Sequence, residues 1–380
     1  MKTVQGSLRV EEIENFSEFE SLRELWNKIL QKSLDNDIFS TWEWLWCWWK
    51  HFGKGRKLRI IMVKEKNQIV AIAPFMLSHY NFLNFGRLAK IEFMSSPHGD
   101  YNNFILLKRK NRYVGLLLNA LMEFSDWNML DLRDIRERSI TAKMLSSLSL
   151  STNNFRLDLK VGTLCPYIRL PSSMEAFERR LSRNMRRNLR KRMRKLSSTN
   201  KVEFISHKEF GSVSEAMEAF FKLHQKRWKA KGKPGAFASE DLRRFHLSLA
   251  KVFDEKGWLS LHFLMVNDEP VAAAYTFDYN LKKYGYLTGF DPAYSRFGVG
   301  NLLKMHIVNE CIRRGYREYD LTRDFEPYKA EWATHIRKNY IVTFVRNSLF
   351  AKIYNRLARS SLSSILYNKF GLQLSHQKTQ

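Results

Sequence analysis

One pattern of predicted elements occurs twice in this sequence, about 200 residues apart. Residues 60–77 and 261–277 each predict a strand, a polar turn and a second strand. Residues 116–137 and 301–326 each predict an apolar-periodic helix, a short break and a strand that runs through Asp-Leu into a charged loop. The same order at both places indicates duplication of one unit. We therefore predict an α/β protein built from two similar domains.

The composition narrows the class of partner. The chain has 380 residues, 44% of them hydrophobic and 14% aromatic, which supports packed cores and argues against disorder. Its formal net charge is +26, from 64 Lys and Arg against 38 Asp and Glu. Such an excess predicts an anionic partner: nucleic acid, a polyphosphate or a membrane surface.

Metal binding, disulfides and secretion find no support in the sequence. Its cysteines, Cys47, Cys165 and Cys311, are far apart and form no CxxC pair, which fits a reducing compartment. The histidines show no metal spacing, so we expect no metal. The N-terminal residues lack the apolar core of a signal peptide, and no apolar run is long enough to cross a bilayer. We expect a cytoplasmic protein, with peripheral contact at the inner face of the membrane left open.

A tryptophan-rich segment, "STWEWLWCWWKHF" at residues 40–52, predicts a short helix. Ser40 and Glu43 have the spacing of a capping box, and Trp42, Trp46 and Trp49 fall on one helical face. Packing in the core is the favoured interpretation, ahead of a pocket lining and of membrane contact.

A strand, loop, helix and strand follow one another over about forty residues in the second copy. "YGYLTGF" at residues 284–290 predicts a strand, residues 301–314 predict a helix, and Gly315 is its expected C-terminal cap. Gly298 and Gly300 lie where the helix begins, so an anion could approach its free backbone N–H groups, with Arg296 adding a charge. The loop lacks the third glycine of a dinucleotide fingerprint and the Gly-Lys-Ser/Thr of a P-loop, which argues against NAD and ATP.

The segment "RRLSRNMRRNLRKRMRK", residues 179–195, contains ten basic residues and no acidic one. An apolar stripe runs along the predicted helix, so we expect it to dock by one edge; the stripe consists of Leu181, Met185, Leu189, Met193 and Leu196. Repulsion among the cations predicts an anionic ligand nearby. RNA binding here would be steeply salt-dependent.

These motifs resemble those of the GCN5-related N-acetyltransferase (GNAT) superfamily. "YSRFGVG" looks like its Arg-x-x-Gly-x-Gly/Ala pyrophosphate loop. "LHQKRWKAKGKPGAF", "GFDPAYSRFGVGNLL" and "RDFEPYKAEW" together resemble the BioF2-like or CelD-like branch, a relative of the FemAB aminoacyl transferases. "RNMRRNLRKRMRKL", "IFSTWEWLWCWW" and "GDYNNF" resemble further segments of that branch, from about Phe16 to Phe344. The resemblance implies tandem GNAT-like domains, each with a mixed central β-sheet flanked by helices.

The resemblance also implies domain bounds. Residues 1–160 would form a first domain that has "ILLKRKNRYVG" in place of the glycine loop and serves as a scaffold or acceptor platform. Residues 161–345 would form the acyltransferase domain, with a basic helix at 175–197. Residues 346–380 would be a basic amphipathic tail that packs back on the protein or lies on an anionic membrane.

Site residues follow from the resemblance together with the needs of acyl transfer to an amine. Acyl-CoA, acetyl-CoA first, would bind as donor at five residues of the glycine loop: Arg296, Gly298, Val299, Gly300 and Asn301. Backbone N–H groups near residues 287–290 would meet the oxyanion. The catalytic candidates are Glu326 as base or acceptor ligand, Asp324 as its substitute, Tyr328 as proton donor and Lys329 as ligand for an anionic group. The branch usually has Gly-Asp ahead of its Tyr-Lys pair, whereas this sequence has Asp324 and Phe325.

Four further residues are weaker candidates. Asp100 and Tyr101 could contact the acceptor or form a polar turn. His224 and Trp228 could line the cleft or stabilise the fold.

The predicted function is transfer of an acyl group, acetyl first, from a CoA or carrier thioester to an amine in cell-envelope or exopolysaccharide synthesis. A FemAB-type aminoacyl-tRNA-dependent transferase is the first alternative, because of the net charge. A non-enzymatic nucleic-acid-binding protein is the second. With the resemblance, the candidate ligands of the basic segment at residues 179–195 are CoA phosphates, an acyl carrier protein, aminoacyl-tRNA or a lipid-linked phosphate sugar.

Overall fold

The computed structural model describes residues 3–5, 7–81, 87–108, 110–151 and 158–346. It divides into two compact units. The first holds the described residues up to Thr163 and from Lys338 onward, and the second holds Leu164–Arg337. The predicted tail, from residue 347 to 380, lies outside the described residues.

The first unit contains a mixed sheet and five helices within the described residues. Its strands are β1 (Thr3–Gln5), β2 (Leu8–Ile13), β3 (Lys57–Glu65), β4 (Gln68–Asn81), β5 (Arg87–Phe93), β6 (Ile105–Leu106) and β7 (Met129–Arg136). Its helices are α1 (Phe16–Ser21), α2 (Arg23–Lys32), α3 (Trp42–Phe52), α4 (Asn111–Glu123) and α5 (Ile140–Ser151). The chain passes between the units within β8 (Asp158–Arg169) and within β14 (His335–Val345).

The second unit contains the basic segment and the glycine loop. Its helices are α6 (Met174–Arg180), α7 (Arg183–Ser197), α8 (Val213–Lys229), α9 (Glu240–Glu255), α10 (Val299–Arg313) and α11 (Pro327–Ala330). Its other strands are β9 (Val202–Ser206), β10 (Leu259–Val266), β11 (Glu269–Tyr279), β12 (Lys282–Phe290) and β13 (Glu318–Asp320).

The two units share one strand arrangement. In the first, the order is β1-β2-β3-β4-β5-β7-β14, and β5 runs parallel to β7. In the second, the order is β8-β13-β12-β11-β10-β9, and β12 runs parallel to β13. A helix lies between the two parallel strands along the chain, α4 in one unit and α10 in the other, because parallel neighbours need a crossover connection. The predicted tandem α/β fold with mixed sheets is confirmed.

The tryptophan helix α3 packs in the core of the first unit, but its predicted cap is wrong. Trp44 and Trp48 are fully buried. Thr41, not Ser40, caps the helix by accepting a hydrogen bond from the Trp44 N–H, while Ser40 ends a short 3₁₀ turn. Glu43 is buried and accepts a hydrogen bond from Asn27 at 2.7 Å instead of closing a capping box.

Two predicted boundaries also change. Residues 338–345 were assigned to the second domain, yet this half of β14 pairs with β7 and belongs to the first unit. The helix predicted at 175–197 is two helices, because the Ser182 side chain accepts a hydrogen bond from the Met185 N–H and starts α7 anew.

Candidate active site

The glycine loop links the end of β12 to the start of α10. A 3₁₀ turn at Pro292–Phe297 leads to Gly298, whose φ of 60° is left-handed. A Cβ at this position would also lie 2.5 Å from Nη1 of Arg192. Glycine is therefore favoured here by its backbone conformation, and a side chain at this position would also displace the Arg192 guanidinium.

The first turn of α10 is open. The helix begins at Val299, two residues earlier than predicted, and its first hydrogen bonds run from the N–H groups of Asn301 and Leu302 to the Gly298 carbonyl. The preceding N–H groups, of Val299 and Gly300, have no partner within a helix, and a Cβ on Gly300 would meet no atom within 4 Å. This helix start can accept an anion.

A cleft of about 280 Å³ lies beside this helix start. Its walls come from β11, the end of β12, α8, α10, β13 and α11, and four of the five predicted donor-binding residues line it: Gly298, Val299, Gly300 and Asn301. The fifth, Arg296, is exposed outside the lining, with its guanidinium 4.8 Å from the centre of the Phe297 ring. Arg192 is the arginine that contacts the loop.

Strand β12 is irregular where it borders the cleft. Tyr275 of β11 faces Leu287 and Thr276 faces Gly285, so Tyr286 is the extra residue of a β-bulge. On its other side, β12 pairs with β13 only through Lys282–Tyr284. Over residues 285–290 the strand thus stays paired with β11 around the bulge but has no β13 partner among the described residues. The sequence predicts the oxyanion donors near residues 287–290.

Two of the catalytic candidates lie close enough to influence each other's protonation. The Tyr328 hydroxyl lies beside Glu326 and Arg227, and both affect its pKa. Burial of this hydroxyl and then the negative charge of Glu326 raise the pKa of Tyr328 well above its usual range. Tyr328 therefore stays protonated and can donate a hydrogen bond at neutral pH.

Tyr328 separates the cleft from a smaller side cavity of about 60 Å³. Glu326, Asp324 and Lys329 line this side cavity, together with His224 and Trp228. The structure thus brings all four catalytic candidates together around α11.

The other two catalytic candidates are Lys329 and Asp324. Lys329 is buried, and its Nζ donates to the Arg323 carbonyl at 2.6 Å and lies 3.9 Å from Glu326 Oε2. Asp324 has a φ of 76°, a left-handed conformation that favours glycine. The left-handed conformation agrees with the family resemblance, because the resembled branch usually has glycine at the position of Asp324.

The sequence model of the acetyltransferase (GNAT) domain matches residues 183–330. Residues 183–330 therefore form a GNAT acetyltransferase domain. No curated protein matches it in sequence.

Solved structures share the tandem GNAT fold over most of the chain. FemX is 12% identical, with a TM-score of 0.59 over 90% of this chain and 99% of its own. The C-terminal domain of a putative lysylphosphatidylglycerol synthetase from Agrobacterium fabrum is 10% identical, with a TM-score of 0.54 over 90% of this chain and 97% of its own. A tandem GNAT protein from the clavulanic acid biosynthesis pathway is 10% identical, with a TM-score of 0.50 over 89% of this chain and 99% of its own.

Two further features are absent from the described ranges of the chain. No helix in these ranges combines the length and apolarity that a bilayer span needs. The same residues contain no group of three or more His, Cys, Asp or Glu side chains that could hold a metal ion.

The GNAT domain contains two cations in its cleft that sequence reasoning missed. Arg227 donates to Thr288 Oγ1 at 2.9 Å, and its guanidinium lies 5.5 Å from the centre of the Tyr328 ring. Lys304 is buried, and its Nζ has no hydrogen-bond partner among the described residues and lies 4.7 Å from the centre of the same ring. The sequence contains one signal of this buried cation: Lys304 interrupts the apolar face of α10, where a leucine or isoleucine would pack.

Burial, and then the charges of Lys329 and Arg227, lower the pKa of Lys304 to about 7. The unfolded chain keeps a lysine pKa near 10.5. Between these values the unfolded state binds more protons, so stability rises with pH from about 7 to 10.5. The destabilisation by Lys304 is complete below pH 7.

We expect Lys304→Met to stabilise the folded GNAT domain most at pH 6 and least at pH 10. The gain at pH 6 should be about 2 kcal/mol, because methionine fills the same space without a charge. Thermal unfolding at pH 6, 8 and 10 measures it. Lys222→Met, at an exposed position of α8, is the matched control and should change little. An equal gain at every pH would contradict a buried titrating lysine.

His224 and Trp228 have a structural role in the GNAT domain. Trp228 Nε1 donates to His224 Nε2 at 2.9 Å, and burial lowers the pKa of His224 to about 3. The imidazole is therefore neutral and fixed as a hydrogen-bond acceptor.

Asp100 and Tyr101 are fully buried in the first unit. The Asp100 carbonyl accepts a hydrogen bond from Asn339 at 3.0 Å, and the Tyr101 ring packs against Phe39. An acceptor could reach neither side chain in this conformation.

Proposed function

We propose that the GNAT domain transfers an acyl group, acetyl first, from a CoA or carrier thioester to an amine. One observation carries this proposal: the open helix start at Gly298–Asn301, with Arg192 beside it, faces the same cleft as Tyr328. The N–H groups of Val299 and Gly300, together with Arg192 and Arg296, would hold the donor phosphates. The donor supplies an acyl group activated as a thioester.

The bulged end of β12 would hold the thioester carbonyl. Backbone N–H groups among residues 285–290 are released from the ladder on the side toward β13 and can donate to the developing negative charge. This role needs no side chain.

The pair of Glu326 and Tyr328 would carry the proton. As the amine nitrogen bonds to the acyl carbon, Glu326 accepts the amine proton, with Asp324 as the substitute base. Tyr328 gives its own proton to the leaving sulfur as the C–S bond breaks, and Glu326 returns a proton to Tyr328. The two transfers must be linked, because the raised pKa of Tyr328 makes its phenol alone a poor proton donor.

The acceptor would approach through the side cavity. Lys329 and Arg227 give that cavity two cations beside Glu326, which favours an amine acceptor that also carries a negative charge. An amine of a cell-envelope or exopolysaccharide precursor on the cytoplasmic side fits this chemistry.

A FemAB-type aminoacyl-tRNA-dependent transfer is the second candidate. The exposed cations of α7 favour it, because a tRNA backbone would neutralise several of them. An acyl carrier protein is the corresponding partner for a carrier thioester.

Calorimetric titration separates these donors. We expect saturable binding of CoA and acetyl-CoA that weakens modestly when the salt concentration is raised. Charged tRNA should bind more weakly and lose affinity steeply with salt. Binding of charged tRNA with transfer to an amine, and no binding of either CoA compound, would replace the first proposal with the second.

A further inference from the structure

A second, larger cavity lies on the basic helix, away from the glycine loop. It has a volume of about 600 Å³ and is formed by α6, α7, β9 and α10. We call it the α7 groove. Its floor is apolar and rich in methionine, consisting of Met174, Leu189, Met193, Phe204, Leu302 and Met305. Such a floor suits a flexible aliphatic chain.

Three arginines form the rim of the α7 groove. Arg186, Arg190 and Arg194 are four residues apart, so they make one ridge along α7. Arg190 pairs with Glu178, a rim carboxylate, at 2.7 Å. Arg186 and Arg194 make no ion pair with any described residue, so their charges are available to a ligand.

The ridge does not serve the donor cleft. Arg192 points to the other side of α7, where its guanidinium contacts Gly298. Four cations of the basic helix are therefore assigned to two places: one arginine to the glycine loop and three to the groove. Donor phosphates at Gly298–Asn301 leave Arg186 and Arg194 without an anion.

The wall beside the rim is uncharged. The rings of Phe204 and His306 stack with their centres 4.2 Å apart. Burial lowers the pKa of His306, so this ring is neutral at pH 7. An occupant thus meets cations at one edge and an apolar surface beneath.

We propose that the α7 groove binds an anionic phospholipid of a membrane surface. One acyl chain lies on the floor of methionine, leucine and phenylalanine, and the phosphate lies against Arg186 and Arg194. The chain's own residues 347–380 are a poorer occupant, because they contain five Lys and Arg and no Asp or Glu. A nucleic acid would use the cations but not the aliphatic floor. This proposal does not depend on the donor or the acceptor proposed above.

Vesicle binding of the full-length chain tests the proposal. Binding to phosphatidylcholine vesicles that contain phosphatidylglycerol is compared with binding to phosphatidylcholine alone, by co-sedimentation at two salt concentrations. We expect Arg186→Gln with Arg194→Gln to weaken the binding about thirtyfold. The matched control is Lys191→Gln with Lys195→Gln, which removes two exposed cations of the same helix outside the groove. This control should weaken vesicle binding less than fivefold, because its effect on the logarithm of the affinity should be about one third of the effect of the arginine pair.

A second measurement tests the floor. Calorimetry with lysophosphatidylglycerol below its micellar concentration should give saturable binding, whereas glycerol 3-phosphate should bind at least about tenfold more weakly because it lacks the chain. An unchanged thermal unfolding midpoint in the Arg186→Gln, Arg194→Gln variant reports that the GNAT domain is folded. The proposal would be overturned if the arginine variant and the lysine variant lost vesicle affinity equally. Equal affinity for lysophosphatidylglycerol and glycerol 3-phosphate would overturn it as well. The proposal would also be overturned if the Arg186→Gln, Arg194→Gln variant lost binding to tRNA or to an acidic protein but still bound the vesicles.

Discussion

Gly300→Glu should abolish donor binding while the GNAT domain stays folded. The new side chain has room, since a Cβ on Gly300 meets no atom within 4 Å. A carboxylate in the first turn of a helix is favourable, and replacing glycine within a helix stabilises it by roughly 0.5–1 kcal/mol. That carboxylate, however, would lie beside the N–H groups of Val299 and Gly300 and would repel the donor phosphates. We expect affinity for acetyl-CoA to fall at least about 100-fold, a change of roughly 2.7 kcal/mol.

The matched control is Gly300→Gln, which has the same shape without the charge. It should retain most of the affinity, because an amide neither repels phosphate nor fills the cleft. Calorimetric titration of both variants, with thermal unfolding as the check on folding, separates charge from size. Gly298→Ala should behave differently and lose stability, because position 298 has a φ of 60° and contacts Arg192. Unchanged affinity in Gly300→Glu would remove the glycine loop from the donor site.

Tyr328→Phe should lower the rate of acyl transfer about 100- to 1000-fold and leave donor affinity nearly unchanged. The phenyl ring keeps the packing against Lys304 and Arg227, but the proton path from Glu326 to the leaving sulfur is lost. Release of free thiol from acetyl-CoA in the presence of an amine acceptor measures the rate. Tyr319→Phe, which removes another hydroxyl from the same cleft, is the control and should change the rate little.

The double variant Tyr328→Phe with Glu326→Gln tests whether the two residues act as one unit. If Glu326 passes the proton through Tyr328, each single variant should lose about as much rate as the double variant does. Fully additive losses would show independent roles. A fall in donor affinity as large as the fall in rate would assign Tyr328 to binding instead.

Much of the fold was predictable because its signals are local. The two hairpins, the glycine loop and the helix after it depend on residue periodicity and on turn residues that act within a few positions. Duplication of that order predicted two units, and the structure has the same parallel pair in each, β5 with β7 and β12 with β13. The four predicted catalytic candidates are neighbours for the same reason, since they lie within six consecutive residues.

The residue pattern was sufficient to predict the tandem α/β architecture, the helix start at the glycine loop and the basic segment. The positions of the cations came from tertiary contacts: Arg192 against Gly298, Lys304 buried beneath Tyr328, and a ridge of three arginines above an apolar groove. The same holds for residues 338–345, which return to the first unit. Such contacts join residues up to about 200 positions apart, and they depend on how whole elements pack. The periodicity of a single helix or strand contains no information about which other element will cover it.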